Sequence, residues 1–106
     1  MAVTENKLNR YSVTKSEKTA EIEQKLVKLE EDIRRLKIEF GIYFNGGTKR
    51  PPHEARGRVE ALIKRIADDR NLSYAQRYQF NTLVNQYTSY RELWRRNLKA
   101  KGEDLM

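Results

Sequence analysis

The sequence of 106 residues contains no cysteine, two prolines and one histidine. Without cysteine there is no disulfide framework, no thiolate nucleophile and no cysteine-based metal site. No apolar run approaches the roughly 20 residues that a transmembrane helix needs. The first residues, MAVTENKLNRYSV, lack the apolar core of a signal peptide. These absences predict a cytoplasmic protein that does not associate with a membrane.

Strand patterns are also missing, and helical patterns dominate what is present. Hydrophobic residues make up 38% and charged residues 35% of the chain. That composition is typical of a globular protein with few core-forming side chains, and the length suits one domain. We therefore expect a single all-α domain.

The strongest periodic pattern lies in residues 14–44. Thr14 and Glu17 fit a capping box, which predicts that a helix begins there. A heptad repeat follows, typical of a helix that packs lengthwise against another. Residues 1–13 lack the pattern and are predicted to be a mobile arm. The repeat consists of Ile22, Leu26, Leu29, Ile33, Leu36, Phe40 and Tyr43.

A shorter helix is predicted over residues 53–70, after a loop at 45–52. Pro51 or Pro52 suits its beginning, because the first helical turn does not need the missing N–H. One face of this helix carries Val59, Leu62, Ile63 and Ile66.

The third predicted helix covers residues 74–101. Ser73 and Gln76 form a second capping box before it, and Gly102 ends it, leaving a tail at 102–106. The pattern predicts three helices, long, short and long, in an up-down-up bundle or hairpin with coiled-coil-like heptad packing. Its heptad positions are Phe80, Leu83, Tyr87, Tyr90, Trp94 and Leu98.

Helix lengths lead to a prediction about partners. At 1.5 Å per residue the three helices measure roughly 45, 27 and 40 Å, so the middle helix is too short to cover both others. Apolar stripes would then overhang at both ends, which favours a protein partner or a homodimer. A monomer with the third helix folded back across the first is the alternative. The predicted interface comprises Ile22, Leu26, Leu29, Tyr90, Trp94 and Leu98, with Arg91 and Arg95 beside them.

Positive charge is concentrated in the second half of the chain. Residues 45–106 hold thirteen Lys or Arg against seven Asp or Glu, whereas residues 1–44 hold nine against eight. Such an excess attracts polyanions, and binding to nucleic acid would weaken steeply with salt. The candidate anion contacts are Lys49, Arg50, Arg56, Arg58, Lys64 and Arg96, with Arg91 and Arg95 as further nucleic-acid contacts.

No motif predicts catalysis, a cofactor or a small-molecule substrate. The stretch GIYFNGGT approaches the phosphate-binding pattern G-x-x-x-x-G-K-[ST], but Gly47 stands where the lysine belongs and a helix precedes it. We expect a corner with an exposed basic tip. His53 has no triad or metal-site spacing, and Asp68 and Asp69 are expected to form ion pairs with arginines.

Several motifs resemble an uncharacterised bacterial family of short helical proteins and C-terminal domains. They are YFNG, KRPP, QRYQFNTL and SYRELWRR, within about residues 29–96. The resemblance implies no catalytic residue, and occurrence as a C-terminal domain implies a docking or assembly role.

Two hypotheses follow from the sequence. The leading one is a non-enzymatic helical module for protein–protein interaction or assembly, self-association included. The alternative is a small basic accessory protein that binds RNA or DNA.

Overall fold

The computed structural model describes the backbone of residues 2–102 and the side chains of residues 17–102. It contains three helices, α1 (Ala2–Phe44), α2 (His53–Ala67) and α3 (Tyr74–Ala100), and no strand within the described residues. The molecule measures 68 × 24 × 17 Å. The predicted all-α architecture is confirmed.

Helix α1 is longer than predicted. It begins at Ala2, so the segment that was expected to be an arm belongs to the helix. Residues 1–40 contain neither proline nor glycine, and nothing in them interrupts the helical hydrogen bonds. Thr14, the predicted cap, therefore lies inside α1, and its side chain is outside the described part.

The glycine-containing corner after α1 is a Schellman motif. Gly46 N–H donates to the carbonyl oxygen of Tyr43 at 3.0 Å, and Gly47 N–H donates to that of Ile42 at 2.8 Å. Gly46 has a φ of 84°, in the left-handed region that favours glycine. Because both glycine N–H groups are already bonded to α1, they are not directed at a phosphate. The structure supports the predicted corner.

Helix α2 ends at Ala67, three residues before the predicted end. The turn that follows is closed by Asp69, whose Oδ1 accepts a hydrogen bond from Asn71 N–H at 2.8 Å. Neither Asp68 nor Asp69 forms an ion pair within residues 17–102, so the expected arginine pairs are absent there. Asp69 acts instead as a turn residue.

The predicted capping box at the start of α3 is present. Ser73 Oγ accepts from Gln76 N–H at 3.1 Å, and Gln76 Oε1 accepts from Ser73 N–H at 2.9 Å. At the other end α3 stops at Ala100, followed by Gly102 with a φ of 85°.

The helices run up, down and up, so α3 is parallel to α1. Gln76 near the start of α3 bonds to Thr19 of α1, and Trp94 near its end stacks on Phe40. Helix α2 runs in the opposite direction, along the part of α1 between Thr19 and Phe40. Pro52 lies beside Ile42 at its upper end.

The predicted overhangs are wrong, because α3 does not begin where α2 ends. Residues 68–73 carry the chain further down α1, to the level of Thr19, before α3 starts. Helix α3 then lies beside α1 from Thr19 to Tyr43, where the Lys101 ammonium sits 4.1 Å from the Tyr43 ring centre. The heptad residues of both helices meet in one core inside a single chain.

Candidate interaction surface

The apolar residues predicted to contact a partner form the core of the chain itself. Ile22 is 2% exposed, Trp94 is 3% exposed, and Tyr90 is half-buried against the same core. Trp94 stacks on Phe40 with ring centres 4.3 Å apart. These side chains are therefore not accessible to a partner while the chain is folded. The remaining buried members are Leu26, Leu29 and Leu98.

One carboxylate organises the contact between α2 and α3. Glu60 Oε2 accepts a hydrogen bond from Tyr87 Oη at 2.6 Å and one from an Arg56 guanidinium nitrogen at 3.1 Å. Arg91 Nε forms an ion pair with the same oxygen at 3.1 Å, although the Nε–H group itself makes no hydrogen bond. Three side chains therefore share one carboxylate oxygen.

The contacts in this cluster shift the pKa of both Glu60 and Tyr87. Desolvation by burial raises the pKa of Glu60, but the Tyr87 hydrogen bond and the Arg56 and Arg91 charges outweigh it, so the net pKa lies below 4.5. Burial, followed by the hydrogen bond to Glu60, raises the pKa of Tyr87. The charged form of Glu60 is thus stabilised by Tyr87, Arg56 and Arg91.

The structure does not bring the predicted anion contacts together. Arg56 and Arg91 are held by Glu60, and Arg58 pairs with Glu54 at 3.2 Å. Lys64 lies in the lower part of α2, away from the corner. Near the upper end of the bundle, Arg95 lies 3.8 Å from Glu92 as an ion pair. The cations that stay exposed in the corner and the last turns of α3 are Lys49, Arg50, Arg95 and Arg96.

Other candidate chemistry is sparse in the described part of the chain. Within residues 17–102 no group of three His, Cys, Asp or Glu side chains is arranged to hold a metal ion. None of the described helices is both long and apolar enough to cross a bilayer. A groove between α1 and α2 is lined by charges of both signs, including the Lys28–Asp32 ion pair at 3.3 Å.

The side of α3 that faces away from α1 exposes two tyrosines, whereas α1 exposes the aliphatic residues Val27, Ile38 and Ile42. Tyr74 and Tyr78, one helical turn apart, are 93% and 75% exposed. Leu93, 45% exposed, borders the same side. We call this surface the outer face of α3. Its members are all exposed: Tyr74, Tyr78, Asn81, Asn85, Ser89, Glu92 and Arg96.

Most of the outer face carries no charge. Residues 71–90 contain one charged residue, Arg77, in a chain that is 35% charged. By contrast, α1 and α2 expose ion pairs such as Glu30–Arg34 and Glu54–Arg58. Lys, Glu and Asp are the residues depleted from the centres of protein interfaces, and Tyr is enriched there.

Hydroxyl groups on this side of α3 bond to the helix itself. Thr82 Oγ1 donates to the Tyr78 carbonyl oxygen at 3.0 Å, and Ser89 Oγ donates to that of Asn85 at 3.1 Å. Their O–H donors therefore remain satisfied if water is removed. Covering this side would bury fewer charges than covering a helix face rich in Lys and Glu, and therefore costs less desolvation free energy.

The sequence patterns considered above did not identify the outer face. They followed apolar residues at heptad spacing, and those residues specify the core. The informative signal was a local loss of charge, because a solvated helix in so charged a chain would carry charges at every turn. Tyr74 and Tyr78 also have heptad spacing, but in a second stripe that lacks aliphatic residues.

No family model matches the chain, and comparisons with curated proteins and with solved structures found no match. The resemblance to a bacterial family through YFNG, KRPP, QRYQFNTL and SYRELWRR therefore remains a prediction.

Proposed function

We propose that the protein is a non-enzymatic helical interaction module that binds a protein partner, a second copy of itself included, on the outer face of α3. The observation that supports this proposal is the stretch at residues 71–90, which has Arg77 as its single charged residue and on which Tyr74 is 93% and Tyr78 75% exposed. Tyrosine is among the residues that dominate binding energy at interfaces. A rigid helix whose other side is held in the core presents these rings with little conformational entropy to lose.

Electrostatics favour a protein partner over nucleic acid. Phosphate contacts require clustered Lys and Arg, and they supply most non-specific affinity for DNA or RNA. Here Arg56 and Arg91 are both paired with Glu60, and the outer face between Tyr78 and Ser89 has no charge to offer a phosphate. The predicted anion contacts outside the Glu60 cluster are exposed but divided between the corner, α2 and the last turns of α3: Lys49, Arg50, Arg58, Lys64, Arg95 and Arg96.

A capture experiment with matched variants tests the function. Tagged wild-type protein, Asn85→Lys and Gln24→Lys are incubated with native lysate, with and without nuclease. Both positions are exposed and both changes add one charge, but Gln24 lies on α1, away from the outer face. We expect specific protein bands that survive nuclease, disappear with Asn85→Lys and persist with Gln24→Lys.

Two outcomes would overturn the proposal. Bands that Asn85→Lys leaves intact would show that the outer face is not the docking site. Material that nuclease removes, and whose retention falls steeply between low and physiological salt, would assign the protein to nucleic-acid binding.

A further inference from the structure

We infer that the outer face of α3 pairs with the same face of a second copy, antiparallel, about a two-fold axis at Asn85. This inference rests on the proposed function, because it names the partner of the same surface.

The outer-face residues have a palindromic spacing. Counting from Tyr74 to Arg96, the steps are 4, 3, 4, 4, 3 and 4 residues, with Asn85 at the centre. In a two-fold antiparallel helix pair each residue lies level with the residue equally far beyond the axis on the other copy. The stripe can therefore match itself along its whole length, about 33 Å at 1.5 Å per residue.

Each symmetric pair is chemically compatible. Tyr74 falls opposite Arg96, where a guanidinium can lie on the ring face. Tyr78 falls opposite Glu92, whose carboxylate pairs with Arg95 of its own helix at 3.8 Å and can also accept a hydrogen bond from the phenol. At the axis the Asn85 side chains meet, and each amide offers both a donor and an acceptor.

The remaining symmetric pair joins Asn81 to Ser89. The asparagine amide can donate to Ser89 Oγ, which keeps its lone pairs while its hydrogen bonds to the Asn85 carbonyl oxygen at 3.1 Å. No pair in the arrangement places like charges together. Glu92 and Arg96 are at the ends, where partly solvated charges set direction and register.

The size of the face predicts a weak, reversible dimer. A standard interface takes about 20–30 residues and 800 Å² from each partner. The outer face and its flanking residues, such as Leu93, amount to less than that. We therefore expect dissociation in the micromolar range, typical of small interfaces.

Because the chain has no cysteine, a single introduced thiol reports directly on the symmetry. Asn85→Cys places the two thiols at the axis, where mild oxidation should link two copies at concentrations that populate the dimer. The control is Glu31→Cys, an exposed position on α1 outside the outer face. We expect the covalent dimer to form at least about tenfold faster with Asn85→Cys than with Glu31→Cys. Equal rates would contradict the symmetric arrangement.

Charge reversal tests the pairing without a cross-link. Tyr78→Glu puts a carboxylate opposite Glu92 and should weaken dimerisation at least about tenfold in sedimentation equilibrium. Adding Glu92→Lys to that variant should restore it, since opposite charges then face each other. Failure of the double variant to recover, with helical circular dichroism unchanged in both, would reject this register.

The experiments distinguish the two-fold dimer from the proposed docking of a protein partner on the outer face of α3. If wild-type protein stays monomeric up to about 1 mM while Asn85→Lys still abolishes capture of a different protein, the two-fold inference is wrong and the docking face stands. If the protein stays monomeric and Asn85→Lys changes no capture, both are wrong. A dimer that Asn85→Lys dissociates and Gln24→Lys preserves supports both.

Discussion

Gln76 in the first turn of α3 donates a hydrogen bond from its Nε2 to the carbonyl oxygen of Thr19 in α1, across 3.4 Å. The same side chain accepts from Ser73 N–H through Oε1, so one amide both caps α3 and ties its first turn to α1. It is buried, with 7% exposed. This relationship marks the level on α1 at which α3 begins.

Replacing Gln76 with alanine should lower the free energy of unfolding by about 1–2 kcal/mol, because a cap and an inter-helix hydrogen bond are lost together. Urea denaturation followed by circular dichroism measures the change. Gln79→Ala is the matched control, since Gln79 is an exposed glutamine one turn later and should shift stability by less than about 0.5 kcal/mol. Equal effects would mean that the Thr19 contact does not stabilise the chain.

Glu60→Gln should destabilise the protein by about 1–2 kcal/mol, since Arg56 and Arg91 would lose their shared counter-charge. The cluster is partly exposed, with the Glu60 side chain 36% accessible, so the loss stays below that of a fully buried pair. Chemical denaturation at neutral pH measures it. Glu54→Gln removes the partner of Arg58 in an exposed pair and should have little effect.

Stability should depend on pH through the same carboxylate. The folded pKa of Glu60 lies below its ordinary 4.5, so its contribution is fully present above that value and is lost as the pH falls through the lowered pKa. The difference in unfolding free energy between wild type and Glu60→Gln should therefore shrink between about pH 5 and pH 3. A difference that stays constant over that range would exclude the charge as the cause.

Two glycines give a pair of opposite predictions. Gly46 has a φ of 84°, so Gly46→Ala should destabilise the chain by about 1 kcal/mol. Gly41 is helical, and a Cβ added there would meet no atom within 4 Å, so Gly41→Ala should stabilise it by about 0.5–1 kcal/mol. Thermal unfolding of both variants tests this. A stabilising Gly46→Ala would contradict the Schellman corner.

The buried ring of Trp94 should contribute strongly to the stability of the chain. Its ring stacks on Phe40 at 4.3 Å and on Tyr90 at 5.8 Å, and it is 3% exposed. Trp94→Ala should cost about 3–5 kcal/mol, a large part of the stability of so small a domain. The neighbouring Leu93→Ala, at a 45% exposed position, should change stability by less than about 1 kcal/mol. In the wild type, tryptophan emission at the short wavelength of a buried indole, shifting red on unfolding, checks the burial without mutation.

The three helices could be predicted from the sequence because the residue patterns that specify a helix act locally. The heptad residues of α1, the Ser73–Gln76 capping box and Gly102 act within a few positions of one another, and the structure contains each as predicted. The corner at Gly46 and Gly47 was predictable for the same reason. The start of α1 was not, because a capping motif at Thr14 also permits a helix that continues through it.

The amino-acid sequence by itself determined three helices, their core-facing stripes and an uncharged stretch at residues 71–90. Only the tertiary structure decided that the stripes of α1 and α3 cover each other, because the six residues 68–73 between α2 and α3 carry the chain down to Thr19. The path of a connection depends on contacts distant in sequence, such as that of Gln76 with Thr19. The same packing buries Trp94 and leaves Tyr74 and Tyr78 in water, since a helix held on one side must present its other side outward.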